Sequence, residues 1–174
     1  MKTSVLLVLT TVLFMSCEKQ ETRYTQQSAE IDTFKKVIDN YKKMNWDAMA
    51  IHYADTAKIA HNTLKENAIS LSETIKNHKA DAEMFNWVVE NEEYEMVVTD
   101  DNETWVNFWG VWKGTMKTTQ KEYIMPVHIT VRFIDGKIVE DFRYFNNAEI
   151  NMDLMRAEQE TAKAEAEDEA AMIE

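Results

Sequence analysis

The chain has 174 residues, a net charge of −12, three glycines, one proline and one cysteine. This length predicts a single domain whose core needs no disulfide or metal staples, and the lone cysteine excludes an internal disulfide framework and a cysteine-based zinc site. The negative charge argues against nucleic-acid binding and against electrostatic docking on anionic lipid, because both require a basic surface.

The first seventeen residues have the pattern of a targeting signal. Lys2 precedes an apolar run that is too short to span a bilayer but suits a signal-peptide core, and the run ends at Phe14-Met15-Ser16-Cys17. This ending resembles the lipobox of bacterial lipoproteins, which implies diacylglycerol on the Cys17 thiol, cleavage before Cys17 and acylation of the new amine. Two acyl chains anchor a protein stably. We therefore expect residues 1–16 to be removed and the protein to lie in the bacterial cell envelope, on the periplasmic or the surface side.

A plain secretory signal with an incidental Cys17 is the alternative interpretation of this segment. Under either interpretation, residues 1–16 contribute nothing to the fold of the mature protein. Residues 17–27 are polar and nearly free of apolar side chains, so we expect a flexible tether. A domain over residues 28–150 is predicted to follow the tether.

Helical spacing dominates the first part of this domain. Ser28 is a candidate N-cap for a helix over residues 29–43, in which apolar side chains recur at three- and four-residue steps. Asn45 can cap a second, shorter helix that carries Trp46 and Tyr53 on one side, and a short strand over residues 57–60 is predicted after it. Ser70 and Glu73 form a capping-box pattern, which predicts a third helix that ends near Met84.

From Trp87 onward the apolar period changes to two, which indicates strands. Turn-forming residues divide this region at 100–102, at 117–121 and at Asp135-Gly136. The pattern predicts four long antiparallel strands, over residues 87–98, 104–116, 123–134 and 137–145. Residues 151–174 are rich in Ala and Glu and carry few large apolar side chains, so we expect an acidic C-terminal helix or a disordered tail.

Helices followed by hairpin-connected strands indicate an α+β fold, a curved antiparallel sheet with helices on one face. Four stretches of residues 30–150 resemble the NTF2-like superfamily, and most of all its SnoaL-like branch: Tyr41–Ala60, Gly110–Gly114, Asp135–Glu140 and Phe142–Asn146. The resemblance implies a cone with a pocket between the concave sheet face and the N-terminal helices. It also implies homodimers through the sheet. Members include ketosteroid-isomerase-like and polyketide-cyclase-like enzymes, dehydratases and proteins that only bind.

Strand alternation offers candidate residues for that pocket. Residues of one face of a strand alternate along the chain, so Phe108 and Trp112 share one face, and Glu140 shares a face with Phe142, Tyr144 and Asn146. An aromatic wall with a polar anchor suits a small apolar ligand. The alternative is that the aromatic side chains simply fill the cone as core. The predicted ligand-binding set is Tyr53, Phe108, Trp112, Phe142, Tyr144 and Asn146.

Two departures from the family argue against catalysis. Trp112 stands where SnoaL-like enzymes often carry His, and Asn146 stands where they often carry Asp. Neither side chain accepts a proton near neutral pH, so we predict no catalytic residue. Glu140, on the expected inner face, is the alternative base, because an apolar pocket would raise the pKa of its carboxyl.

The four histidines show no metal-ligand spacing, so we predict neither a metal nor a cofactor. His128 alternates with Val127 and Ile129 and is expected on the convex face. Trp105 and Trp109 are expected there too, covered either by a second copy of the chain or by the C-terminal helix, and an exposed aromatic patch is the third alternative. Three functions stay open: a tethered binding protein, an isomerase, cyclase or dehydratase, and a partner-binding envelope protein whose cone is filled.

Overall fold

The computed structural model describes residues 23–172. The predicted signal peptide and Cys17 lie outside the described residues. Within residues 23–172, no helix combines the length and the apolar character that a membrane crossing requires. The α-helices in this part of the chain are α1 (Ala29–Lys42), α2 (Trp46–Ala50), α3 (Leu71–Met84) and α4 (Ala148–Ala171).

Seven strands form one curved sheet in the order β1-β4-β5-β6-β7-β2-β3. Strand β2 runs parallel to β7, and the other neighbouring pairs are antiparallel. The strands are β1 (Tyr24–Thr25), β2 (Tyr53–His61), β3 (Ile69–Ser70), β4 (Phe85–Val98), β5 (Thr104–Met116), β6 (Glu122–Ile134) and β7 (Lys137–Phe145). The fold is therefore α+β with a sheet that is mainly antiparallel, as the order of elements predicted.

The helices begin at the caps that the sequence indicates. The Ser28 hydroxyl accepts a hydrogen bond from the Ile31 amide at 3.1 Å, and the Ser70 hydroxyl accepts one from the Glu73 amide at 3.2 Å. Helix α1 buries one apolar stripe against the sheet. The stripe consists of Ile31, Phe34, Val37 and Ile38.

Two segments are more ordered than the sequence indicates. Tyr24–Thr25, expected within the flexible tether, pairs with Met96 and Val97 at the edge of the sheet. Strand β2 begins at Tyr53, which we expected on the second helix, and extends to His61. In both places the hydrogen bonds of a neighbouring strand fix a backbone whose own side-chain pattern is weak.

A β-bulge in β7 decides which side chains enter the cone. Phe133 of β6 pairs with Ile138, but the next residue back, Arg132, pairs with Glu140, so Val139 is an extra residue in β7. Because side chains alternate between faces, one extra residue reverses the faces of the rest of the strand. Beyond the bulge, Asp141, Arg143 and Phe145 point to the inner face.

Two glycines in β5 make room for aromatic rings on the inner face. The Phe108 ring lies along the strand over Gly110, and the Trp112 ring lies over Gly114. An added Cβ at Gly114 would stand 1.8 Å from the Trp112 ring, and one at Gly110 would stand 2.5 Å from the Phe108 ring. The G-x-x-x-G spacing of this strand therefore reflects close packing of two large side chains.

Helix α4 begins at Ala148 and packs only its first turns on the domain. Ile150 is buried with Phe85, Trp112 and Tyr123, and Leu154 packs against the same cluster. From Met155 onward the side chains that the structure describes are exposed. The helix thus contacts the inner side of the sheet. The expectation that it covers Trp105 and Trp109 on the outer face is wrong.

Candidate ligand cavity

A cavity of about 260 Å³ lies between the inner face of the sheet and helices α1, α3 and α4. Most of its wall is apolar, which is typical of sites for small organic molecules. Phe34 and Phe108 meet edge to face in this wall at 6.1 Å between ring centroids. The other apolar lining residues are Val37, Ile38, Met49, Met84, Phe85, Val89, Trp112, Met125, Val127, Ile129, Phe145, Ile150 and Leu154.

Three of the predicted ligand-binding residues lie on the inner side of the sheet. Phe108 and Trp112 line the cavity, as strand alternation predicted. Tyr53 is buried but lies behind the lining, where its hydroxyl donates a hydrogen bond to Asp141 Oδ2 at 2.9 Å. Tyr53 therefore supports the wall of the cavity from behind.

The prediction that Glu140, Phe142 and Tyr144 face the cavity is wrong. The β7 bulge turns all three to the outer face, where Phe142 pairs with Thr130 and Tyr144 with His128. Glu140 binds Lys65 and Arg132 there at 2.8 and 2.7 Å. Partial burial acts to raise the pKa of Glu140, but the hydrogen bonds from these two cations outweigh it and hold the pKa below its ordinary value. Glu140 cannot serve as a base inside the cone.

Asn146 also lies outside the cavity. Its side chain is exposed, and its Oδ1 accepts a hydrogen bond from the Ala148 amide at 3.1 Å, at the start of α4. The next residue, Asn147, lines the cavity instead. A helix-capping role explains an Asn at position 146 without any ligand.

One wall of the cavity is polar and centres on a buried ion pair. Arg143 Nε and Nη2 donate to the Asp141 carboxylate, the shortest of these bonds being 2.7 Å, and Nη2 also donates to the Tyr53 hydroxyl at 3.2 Å. Asp141 is 1% exposed and Arg143 8%. Burial acts to lower the pKa of Arg143, but the Asp141 carboxylate overcomes this and raises it. The pair is therefore charged on both sides and neutral as a unit.

Arg143 also fixes the tautomer of His78. Arg143 Nη1 lies 2.8 Å from His78 Nε2, and a guanidinium can only donate, so Nε2 must carry a lone pair. The proton of the neutral imidazole then sits on Nδ1. Within residues 23–172 this nitrogen has no hydrogen-bond partner, although Asp81 Oδ2 lies 3.8 Å away, and His78 is only 6% exposed.

His61 and Tyr41 complete the polar wall. The His61 ring lies 6.0 Å from the His78 ring between centroids, and the Tyr41 ring lies 5.0 Å from it. His61 Nε2 is buried and has no hydrogen-bond partner in the described part of the chain. The Tyr41 hydroxyl accepts a bond from Trp112 Nε1 at 3.2 Å, which leaves its own proton free to donate. Burial raises the pKa of Tyr41 to about 12.

Both imidazoles are neutral near pH 7. Burial, together with the charge of Arg143, lowers the pKa of His61 to about 4. Burial also lowers the pKa of His78, against the opposing effect of Asp81. The polar wall therefore presents uncharged donors and acceptors beside a neutralised ion pair. Over residues 23–172 we find no cluster of three His, Cys, Asp or Glu side chains suited to a metal ion.

The polar wall is the part of the site that sequence reasoning missed. Alternation without a bulge puts Arg143 and Asp141 on the face opposite Glu140 and Phe142, and the spacing of the histidines gives no sign of a shared site. A signal existed for His78, because it falls on the same helical stripe as Leu71 and Ile75, which faces the sheet. Arg143 offered no such signal, because its position depends on the bulge.

The outer face of the sheet carries a second group of aromatic side chains. His128 lies there as predicted. Its ring stacks between those of Trp109 and Tyr144, with centroid distances of 5.0 and 6.1 Å. The ring centroids of Trp105 and Phe142 lie 6.2 Å apart on the same face. Trp109 is 41% exposed and Tyr144 48%, so this face presents large apolar area to solvent.

No protein-family model matches the chain, and no curated protein matches it significantly. Solved structures do resemble it. A candidate polyketide cyclase from Xanthomonas campestris shares 16% identity at a TM-score of 0.59, over 72% of this chain and 96% of that one. An NTF2-like protein of unknown function from Burkholderia pseudomallei shares 11% identity at a TM-score of 0.56, over 71% of this chain and 95% of that one.

A third similar structure is AclR of Streptomyces galilaeus, named as a candidate hydroxylase. It shares 14% identity at a TM-score of 0.59, over 73% of this chain and 96% of that one. Likeness at such low identity bears on the fold alone. The chain has the NTF2-like fold, a cone of helices against a curved sheet, and the predicted resemblance to this superfamily is confirmed at that level.

Proposed function

We propose that this chain is a lipid-anchored protein of the bacterial cell envelope that binds a small apolar molecule in its cone, without chemical turnover. The observation that carries the proposal is the cavity of about 260 Å³, whose wall is apolar except for one side with unpaired histidine nitrogens. Apolar walls supply affinity, and a few polar atoms fix the orientation of a ligand. The unfilled interior speaks against the alternative of a cone packed solid by its own aromatic side chains.

The decisive experiment fills the cavity and measures ligand binding. Val127 lines the cavity, whereas Thr130 lies on the outer face of the same strand. We expect Val127→Trp to weaken binding of a bicyclic aromatic probe such as naphthalene by about tenfold or more, measured by calorimetry. Thr130→Trp is the matched control and should bind like the parent. Equal affinity in both variants would remove the cavity as the binding site.

The lipid anchor has its own test. Mass spectrometry of the mature protein should find two acyl groups on a chain that starts at Cys17, and Cys17→Ser should move the protein from the membrane to the soluble fraction. An unmodified Cys17 would refute the anchor and leave the binding proposal standing.

A second copy of the chain is our proposed cover for the outer face. Trp109, Tyr144 and Ile124 are each more than 40% exposed on this face, and Trp109 and Tyr144 stack on the His128 between them. Burying such area in a symmetric contact is favourable. Sedimentation analysis should find a dimer, and Trp109→Lys should convert it to a monomer. A parent protein that is monomeric at high concentration would refute this contact.

An enzyme is the second candidate function, and His61 is the observation that favours it. Its Nε2 is buried and unpaired in the described residues, and the His61, His78 and Tyr41 side chains together line the cavity. A base next to oxyanion donors is the arrangement that proton abstraction beside a carbonyl requires. Deuterium uptake by 2-tetralone in heavy water, followed by NMR, should then depend on His61. Uptake that survives in His61→Phe would exclude this base.

A further inference from the structure

We propose that the polar wall of the cavity selects ligands that present one neutral hydroxyl group, an alcohol or a phenol, and rejects carboxylates. This inference rests on the proposed function, because it names the class of molecule that the cavity holds. The site is the juxtaposition of three side chains on α1, β2 and α3 in front of the Arg143–Asp141 pair. They are Tyr41, His61 and His78.

Two hydrogen-bond donors of this wall, His78 Nδ1–H and the Tyr41 hydroxyl, have no acceptor within hydrogen-bond distance in the described residues. The Arg143 contact places the His78 proton on Nδ1, and the hydrogen bond from Trp112 leaves the Tyr41 proton free. A buried donor without a partner costs free energy, so both favour a ligand oxygen that accepts. A purely apolar ligand would leave both donors unsatisfied.

The third atom, His61 Nε2, decides which oxygen fits. In one tautomer of the neutral ring this nitrogen accepts a hydrogen bond, and in the other it donates one. A hydroxyl group can do both, so it satisfies His61 in either tautomer, whereas a carbonyl or ether oxygen satisfies only one. The His61 and His78 ring centroids are 6.0 Å apart, so one polar head group of a ligand in this part of the cavity lies close to both rings.

The charges around this wall exclude an anion. The titratable groups that face the two imidazoles are Tyr41 from α1, Tyr53 from β2, Asp81 from α3, and Asp141 and Arg143 from β7. The one cation among them, Arg143, is already neutralised by Asp141, and Asp81 adds a negative charge 3.8 Å from His78. A buried carboxylate here would have no free countercharge. The low pKa values of His61 and His78 mean that neither ring supplies one near pH 7.

A matched ligand series, measured on the mature protein without any substitution, tests the proposal. The probes are naphthalene, 2-naphthol, 2-methoxynaphthalene and 2-naphthoate, which share one ring system and differ in the head group. Calorimetry at pH 7.5 measures each dissociation constant. Two additional hydrogen bonds predict that 2-naphthol binds about tenfold tighter than naphthalene. The methoxy compound, which cannot donate, should bind less tightly than 2-naphthol, and 2-naphthoate should bind most weakly.

A pair of variants then locates the preference. His61→Phe keeps a ring of similar shape but removes Nε2, and it should reduce the advantage of 2-naphthol over naphthalene to about threefold or less. His128→Phe makes the same change on the outer face and should leave the advantage intact. Thermal unfolding of both variants checks that each remains folded, and the ligand series on the parent decides the question if His61→Phe does not fold.

The outcomes distinguish a failure of the head-group inference from a failure of the proposed binding function. If naphthalene binds but 2-naphthol gains nothing, or if 2-naphthoate binds most tightly, the head-group inference is wrong and the binding function stands. If none of the four probes binds, both are overturned. If 2-naphthol keeps its full advantage in a folded His61→Phe variant, this wall does not recognise the hydroxyl group, and the inference is wrong.

Discussion

Glu140 and Asp141 are neighbours in β7, yet they lie on opposite faces of the sheet and in different surroundings. Asp141 is buried behind the cavity and is held by Arg143 and Tyr53, whereas Glu140 lies on the outer face between Lys65 and Arg132. The same contrast holds for the histidines. His61 and His78 lie inside with unpaired nitrogens, and His128 stacks between exposed aromatic rings outside. The inner face thus carries buried nitrogens without a partner in the described residues, and the outer face presents apolar area to solvent.

The largest expected difference in stability between variants of the two faces is at the two carboxylates, Asp141 and Glu140. Asp141→Asn leaves the buried Arg143 without a countercharge and should lower the free energy of unfolding by about 3–5 kcal/mol. Glu140→Gln removes the partly exposed ion pairs with Lys65 and Arg132 but leaves no fully buried charge without a partner, so it should cost less, about 1 kcal/mol. Urea denaturation of both variants measures the two losses. Equal losses would contradict the assignment of these neighbours to different environments.

The buried histidine makes stability depend on pH. The pKa of His61 is about 4 in the folded protein and 6.5 as the ordinary value, so between these values the unfolded chain binds more protons. The stabilisation is therefore fully present above about pH 6.5 and is lost as the pH falls toward 4, by roughly 2–3 kcal/mol for this residue.

Urea denaturation of the parent and of His61→Phe between pH 7 and pH 4.5 measures this contribution. The free energy of unfolding should fall more steeply with decreasing pH in the parent than in the variant, and His128→Phe provides the outer-face control. Parallel curves for the parent and His61→Phe would show that His61 is not buried in its neutral form.

A small change in side-chain size should affect stability differently on the two faces of β5. Gly114→Ala places a Cβ against the Trp112 ring on the inner face and should cost about 1–3 kcal/mol, because the ring has to move. Thr115→Ala, one residue along on the outer face, should change stability by about 0.5 kcal/mol or less. Thermal or urea unfolding of the pair checks this. A stable Gly114→Ala protein would mean that Trp112 packs differently.

The smallest expected effect is the change in ligand affinity on substitution of Tyr144. Strand alternation alone places this side chain inside the cone. Because the bulge puts it on the outer face, Tyr144→Ala should change the dissociation constant of 2-naphthol by about twofold or less. Trp112→Ala, which alters the wall itself, is the comparison variant and should change affinity more. A clear loss of binding in Tyr144→Ala would return this side chain to the cavity and refute the assigned register.

Local patterns were sufficient for most of the elements. The caps at Ser28 and Ser70 and the change of period after Met84 correctly predicted where helices begin and where the sheet starts, since these signals depend on neighbouring residues alone. Alternation within β5 correctly placed Phe108 and Trp112 on the inner face and Trp109 outside. Strand β5 pairs with β6 from Thr104 to Thr115 without a change of register, so its side chains alternate regularly between the two faces.

The candidate site was predicted only in part, because it depends on register and on contacts between distant residues. Alternation without a bulge places Phe142 and Tyr144 in the cone, and the single extra residue in β7 reverses this. The polar wall then joins residues up to 102 positions apart in the chain, from Tyr41 to Arg143. No local pattern signals that Arg143 will meet His78, since this depends on how α3 packs over the sheet.

The amino-acid sequence by itself determined most of the elements, their order and the aromatic wall of β5, because helical spacing, strand alternation and capping act over a few residues. Only the tertiary structure decided what the cone contains. Pairing between β6 and β7 set the bulge, the bulge turned Arg143 inward, and Arg143 fixed the tautomer of His78. Burial, together with the charge of Arg143, lowered the pKa of His61. Each of these steps depends on electrostatics and packing between residues that only the fold brings together.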